Sequence, residues 1–171
     1  MKYDILKSGL ENVLALLNLD NSQAFTLEEI SIGAAVDYTD ELGVNTRNTE
    51  ILVTSIDPSV ALGSTTLRYT RIDLATKAPE GVTLVLDGDD TLETVLTKVT
   101  TQLKLSPTEV EFATLEVLPE LEPDVPVELS LSAVAGSYGY LGTVTVTVSL
   151  PPLPIPDLDE LLVTVDLGGF E

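Results

Sequence analysis

Apolar and polar residues alternate in two stretches of this chain that share one layout. Residues 45–73, NTRNTEILVTSIDPSVALGSTTLRYTRID, hold two runs rich in Ile, Val, Thr and Tyr around Pro58 and Gly63, the pattern of an antiparallel hairpin. Residues 128–148, ELSLSAVAGSYGYLGTVTVTV, repeat it. Setting Glu50 against Glu128 and Leu62-Gly63-Ser64 against Leu141-Gly142-Thr143 moves the offset only from 78 to 79. Two related hairpins are therefore predicted, the second ending in the strictly alternating TVTVTVSL of a half-buried strand.

Elsewhere the apolar period lengthens to three and four. Leu6, Leu10, Val13, Leu14 and Leu17 predict an amphipathic helix over residues 8–19, with Ser8 and Glu11 as a capping box. Thr26 and Glu29 repeat that box before a short strand near residues 32–38. Leu92, Val95, Leu96, Val99 and Leu103 form the clearest stripe, a helix over residues 91–104 capped by Asp90 with Glu93 three residues on. Ser106-Pro107-Thr108-Glu109 reads as a further helix start, ending by Leu115, and residues 119–126, PELEPDVP, as an extended connector. Pro151, Pro152, Pro154 and Pro156 predict a stiff spacer, followed over residues 161–167 by an apolar strand. That strand folds back on its own domain, adds to a sheet edge of another copy, or stays disordered. The expected fold is α+β: antiparallel hairpins forming a sandwich-like sheet packed by one main helix, about 91–104. An N-terminal helix and link occupy 1–24, the α+β core 25–150, and a Pro-rich arm ending in a strand 151–171.

Composition narrows the chemistry. At 171 residues and 44% hydrophobic, the chain is able to bury a sizeable core. Twenty-eight acidic against 8 basic residues give a formal charge of −20, which counts against direct binding to a phosphate backbone. Cys, His and Trp are absent, so the usual zinc, copper and haem ligands, His-dependent triads and thiol nucleophiles are not available. Asp4, Lys7 and Glu11 interrupt the N-terminus as a signal peptide, and no apolar run approaches the roughly 20 residues that span a bilayer. A soluble protein made in a cytoplasm is the expectation, with no membrane partner.

Carboxylates are plentiful, but their spacing does not single out a pair for glycoside or ester chemistry. The acids Asp37, Asp40 and Glu41, and the acids Asp87, Asp89 and Asp90, lack the alternation of a calcium loop and read as solvated turns, with Arg47 pairing to one of the first group. Tyr138 and Tyr140 in SYGYLG are either sugar-stacking residues or hairpin packing, with packing favoured. No enzyme activity, catalytic residue, cofactor or metal site is expected.

The segments FTLEEISIGAAVDYTD, VNTRNTEILVTSI, GSTTLRYTRIDL, APEGVTLVL, TLETVLTKV and SYGYLGTVTVTV resemble a family of uncharacterised virion structural proteins of large tailed bacteriophages, over most of residues 25–150. The resemblance implies a small α+β domain present in many copies in a particle and carries no catalytic residues. The function expected from it is a capsid decoration or cement component made in the host bacterial cytoplasm and located in the virion. A neck or tail ring component is the alternative within that class, and an adhesion or carbohydrate-binding module the alternative outside it. Partners would be capsid or tail subunits and other copies of the chain, without direct nucleic-acid contact. Candidate interface residues are Leu10, Leu14 and Leu17 on the first helix and Leu161, Val163, Val165 and Leu167 in the tail.

Overall fold

Ser8 and Glu11 close the predicted reciprocal cap in the computed structural model, which describes residues 3–153. The Glu11 amide donates to Ser8 Oγ at 3.2 Å and the Ser8 amide to Glu11 Oε2 at 2.8 Å, and α1 runs through Gly9–Asn21. Then come β1 (Ile30–Ile32), β2 (Val36–Asp37), β3 (Thr49–Ser55) and β4 (Ser64–Tyr69). They make one antiparallel sheet with β3 at its centre, β4 along one edge and β1 and β2 sharing the other. The link β5 (Ile72–Asp73) and α2 (Leu74–Lys77) leads to β6 (Val82–Val85), α3 (Leu92–Leu103), β7 (Val110–Glu111), β8 (Val127–Ala133), β9 (Tyr140–Leu141) and β10 (Thr143–Ser149). The second sheet has the order β6-β10-β8-β7, with β6 parallel to β10 and the other pairs antiparallel.

Both expected hairpins are present, and the likeness between them extends to whole units. The order helix, edge strand, hairpin recurs with a nearly constant offset. The helices end on left-handed residues Ser22 and Lys104, with φ of 54° and 55° and an offset of 82. The turns Thr26–Glu29 and Ser106–Glu109 each close with a bond of 3.2 Å from the glutamate amide to the first residue's carbonyl, at an offset of 80. The hairpins start at Thr49 and Val127, an offset of 78, and resume at Ser64 and Thr143, an offset of 79. Gly63 and Gly142 sit at the same place in the two loops with φ of 85° and 76°, a region that residues with a Cβ rarely enter. The fold is thus a pair of α+β units, each carrying its own sheet and helix.

Two cores follow from this. In unit one, Val13 and Leu17 of α1 pack on Ile30, Ile51, Val53 and Tyr69. In unit two, Val95 and Val99 of α3, both fully buried, pack on Val82, Leu129, Leu131, Val144, Val146 and Val148. Corresponding positions carry corresponding side chains: Ile51 and Val53 match Leu129 and Leu131, and Ile30 matches Val110. At about 25 cal/mol per Å² of apolar area buried, each such side chain contributes about 1.5–3 kcal/mol.

Two local expectations are corrected. The cap of α3 is Thr91 with Thr94, not Asp90 with Glu93. The Asp90 carboxylate instead accepts from the Asp87 amide at 2.8 Å, Thr94 Oγ1 at 2.8 Å and Lys98 Nζ at 2.5 Å. Ser106 begins a single turn and no helix, because the Glu109 side chain turns inward. The first core draws on residues on both sides of residue 24, since α1 lies against the first sheet.

Candidate functional site

The buried polar side chains converge where the two units meet. Glu109, 7% exposed, accepts from the Tyr3 hydroxyl, from the Tyr138 amide at 3.0 Å and from the Gly139 amide at 3.1 Å. The Tyr3 hydroxyl is held far above the ordinary tyrosine pKa, first by burial and then by its bond to the Glu109 carboxylate. Tyr3 also tilts its ring onto Tyr140, with centroids 5.3 Å apart. Gly139 leaves room for this arrangement: a Cβ there would stand 2.5 Å from both the Glu109 carboxylate and the Tyr3 ring.

Arg71, 6% exposed, crosses the same seam. Its Nε donates to Thr49 Oγ1 at 2.8 Å and its Nη1 to the Ser137 carbonyl at 3.0 Å, while Nη2 pairs with the Asp37 carboxylate. One planar fork therefore holds β2, β3 and the β8–β9 loop together. The seam is completed by the Tyr69 hydroxyl on the Tyr138 carbonyl at 2.9 Å, the Tyr138 hydroxyl on the Gly33 carbonyl at 3.1 Å, and the parallel pair β5–β9. Burial also pushes the Tyr69 hydroxyl well above its ordinary range.

A cavity of about 310 Å³ lies beside the seam, lined by Tyr3, Asn12, Leu16, Tyr69 and Tyr138 among others. Its polar walls are already engaged. Asn12 Nδ2 donates to the Asp4 carbonyl at 2.8 Å and the Ser8 carbonyl at 3.0 Å, and Asn12 Oδ1 accepts from the Asp4 amide at 2.8 Å. A carboxylate that accepts three donors, together with hydroxyls that donate to it and to carbonyls across the seam, makes a clamp between the units.

The exposed counterpart of this closed seam is the edge of β4. Val144, Val146 and Val148 of β10 are buried because β6 lies beside them. The matching residues of β4 are Thr65, which is exposed, Leu67, half-buried, and Tyr69, buried. Among the described residues no strand pairs with the outer edge of β4. Beside it a cavity of about 370 Å³ separates β4 from α1, lined by Val13, Leu16, Leu17, Leu67 and Tyr69 with Arg47 and Arg68 at its border.

A family pattern covers residues 3–171, the whole of both units and the tail. The chain belongs to DUF7941, a family of unknown function. No curated protein and no solved structure matches it. The family match thus begins at Tyr3, the residue that closes the Glu109 clamp, and runs past the last described strand.

The interface candidates divide. Leu17 is 8% exposed and belongs to the first core; Leu14 is half-buried against that core, and Leu10 is half-buried. Leu161, Val163, Val165 and Leu167 lie outside the described residues. Tyr140 is 1% exposed and its hydroxyl accepts from the Ser106 amide at 3.0 Å, so it packs and cannot stack on a sugar. Arg47 reaches Thr70 at 3.5 Å, and the arginine paired with Asp37 is Arg71. Asp40 accepts from the amides of Leu42, Val44 and Asn45, which hold its carboxyl below the usual range and explain that acidic turn without a metal. Glu109, Arg71 and Tyr3 were not legible as a group, since their partners lie far away in sequence.

Proposed function

We propose that this protein is a non-enzymatic structural component of a bacteriophage particle, a subunit that works by being joined to other copies and to other virion proteins. The observation that carries the reading is the contrast between the two faces of the fold. The buried polar groups bond within the fold: Glu109, Arg71, Tyr3 and Tyr69 are all engaged in locking one unit to the other. The open feature is a strand edge, and strand edges join chains. The likeness of residues 25–150 to virion structural proteins supplies the setting, and the charge of −20 keeps free copies from packaged nucleic acid.

On the shell, such a subunit is a decoration or cement component whose tail reaches a neighbour. A neck or tail ring is the second placement. It is favoured by the open edge of β4, because a contact made between two different surfaces is heterologous and closes into a ring or continues as a tube.

The test is to tag the protein in the phage that encodes it and image purified particles. Many regularly spaced copies on the capsid support decoration, and a ring at the neck or along the tail supports the second placement. Absence of the protein from purified particles overturns the proposal.

A further inference from the structure

The sequence of β6 recurs in the tail at the spacing of the repeat. Residues 82–88 read VTLVLDG and residues 163–169 read VTVDLGG, an offset of 81 beside the 78 to 82 that relate the two units. Val, Thr, Leu and Gly are identical at four of the seven positions, and Leu84 is matched by Val165. The connecting lengths agree as well. Twelve residues separate the end of β4 at Tyr69 from Val82, and thirteen separate the end of β10 at Ser149 from Val163.

In unit two, β6 has a defined task. It lies parallel to β10, with Val82 opposite Val146, Thr83 opposite Thr147, Leu84 opposite Val148 and Val85 opposite Ser149. Val82 and Leu86 are buried in the core beneath α3. Unit one offers the same seat, with β4 in place of β10 and α1 in place of α3, and within the described residues the seat holds no strand. The consequence is measurable in the side chains: Val144 is buried, whereas its counterpart Thr65 is exposed, and a cavity of about 370 Å³ separates α1 from β4.

We infer that residues 163–167 of one copy add as a parallel strand to the edge of β4 in a second copy, completing its first sheet as β6 completes the second. Transferring the β6–β10 register by the repeat offsets places Val163 opposite Leu67, Thr164 opposite Arg68, Val165 opposite Tyr69 and Asp166 opposite Thr70. Val163 and Val165 then point toward the cavity under α1, as Val82 and Leu84 do in unit two. Charge agrees with this seat. Arg47 and Arg68, two of only 8 basic residues, border it with a single acid, Asp20, and Arg68 is held by Glu50 at 3.5 Å, while the tail carries Asp157, Asp159, Glu160 and Asp166. A second copy is the occupant because β6 pairs with β10, the last strand of the unit that follows it, and not with β4 of the unit before. The tail strand, standing after unit two, is equivalent to β6, and the edge of β10 in its own chain is already filled. This inference rests on the reading of the protein as a multi-copy building block.

The chain has no native cysteine, so single cysteines report contacts cleanly. Full-length Arg68→Cys and Thr164→Cys are mixed under mild oxidation, with Leu52→Cys, on the exposed face of β3, replacing Arg68→Cys as the control. Opposed strand residues lie within the Cα separation a disulfide tolerates. The expected result is a covalent heterodimer from the Arg68→Cys and Thr164→Cys mixture, at least tenfold above the Leu52→Cys control, and a ladder of multimers from the double variant. A double variant that closes only on itself as a covalent monomer overturns the second-copy occupant. Oligomers by light scattering without the cross-link overturn the strand seat while leaving the building-block reading intact. A strict monomer at high concentration that is also absent from particles overturns both.

Discussion

Replacing Glu109 by Gln tests whether the seam between the units is a clamp held by a charged acceptor. The carboxylate receives three donors, the Tyr3 hydroxyl and the amides of Tyr138 and Gly139. A glutamine keeps one acceptor oxygen and turns an NH₂ group toward a backbone N–H that has no other partner. Bonds to a charged acceptor are worth about 1.5–3 kcal/mol, and a buried donor left without a partner costs about 1–3 kcal/mol. Part of this is recovered because glutamine need not be desolvated as an ion, so the net loss should be about 2–4 kcal/mol. For a chain of this size that lowers Tm by roughly 5–15 °C. Urea unfolding followed by circular dichroism measures it, with Glu111→Gln on the exposed neighbouring strand position as the control, expected within about 0.5 kcal/mol of the parent. If Glu109→Gln is neutral or stabilising, the acid is a desolvation burden and not a clamp, and the account of the seam fails.

Arg71→Lys keeps the charge but loses the fork to Thr49, Ser137 and Asp37; it should cost about 2–3 kcal/mol in the same unfolding assay. Val99→Asp puts an unpaired charge into a fully buried site under α3 and should leave no cooperative unfolding transition in calorimetry, whereas Thr97→Asp on the exposed face should fold. Tyr3, Tyr69, Tyr138 and Tyr140 are all held protonated above the ordinary range by burial. A raised folded-state pKa gives stability that is complete below the unfolded value of about 10 and declines as pH rises beyond it. Melting temperature should therefore be flat from neutral pH to about 9 and fall above about 10, and in a Tyr38→Phe background, which leaves only these four tyrosines, absorbance at 295 nm should rise only with unfolding.

The hairpins were legible because their signals are local: alternation along each strand and a glycine at the left-handed turn position. The stripe of α3 was legible for the same reason, but its cap moved by one residue. Asp90-x-x-Glu93 and Thr91-x-x-Thr94 both fit the capping pattern, and Lys98, two turns along, captures the Asp90 carboxylate. Ser106-Pro107-Thr108-Glu109 misled in the same manner. Its glutamate is drawn inward by Tyr3, 106 positions away, which no local pattern reveals. The Leu stripe of α1 announced a helix without saying what it would cover, and Leu17 proved to be core. The parallel strand β6 is a short apolar run with no turn partner, so the sequence alone did not separate it from a loop. The likeness between units was visible in the hairpins, where side chains match. In the helices and turns it survives only as geometry, as in the left-handed pair Ser22 and Lys104.

Concentration-dependent hydrogen exchange at the amides of Ser64–Tyr69 addresses the building-block account most directly. In the full chain those of these amides that point away from β3 should become protected as protein concentration rises and larger species form, and Thr164→Pro, which removes a backbone donor from residues 163–167, should abolish the change while leaving β8 and β10 protected. Exchange along β4 that is equally fast at every concentration, in a chain that sediments as a single monomer, would contradict the account.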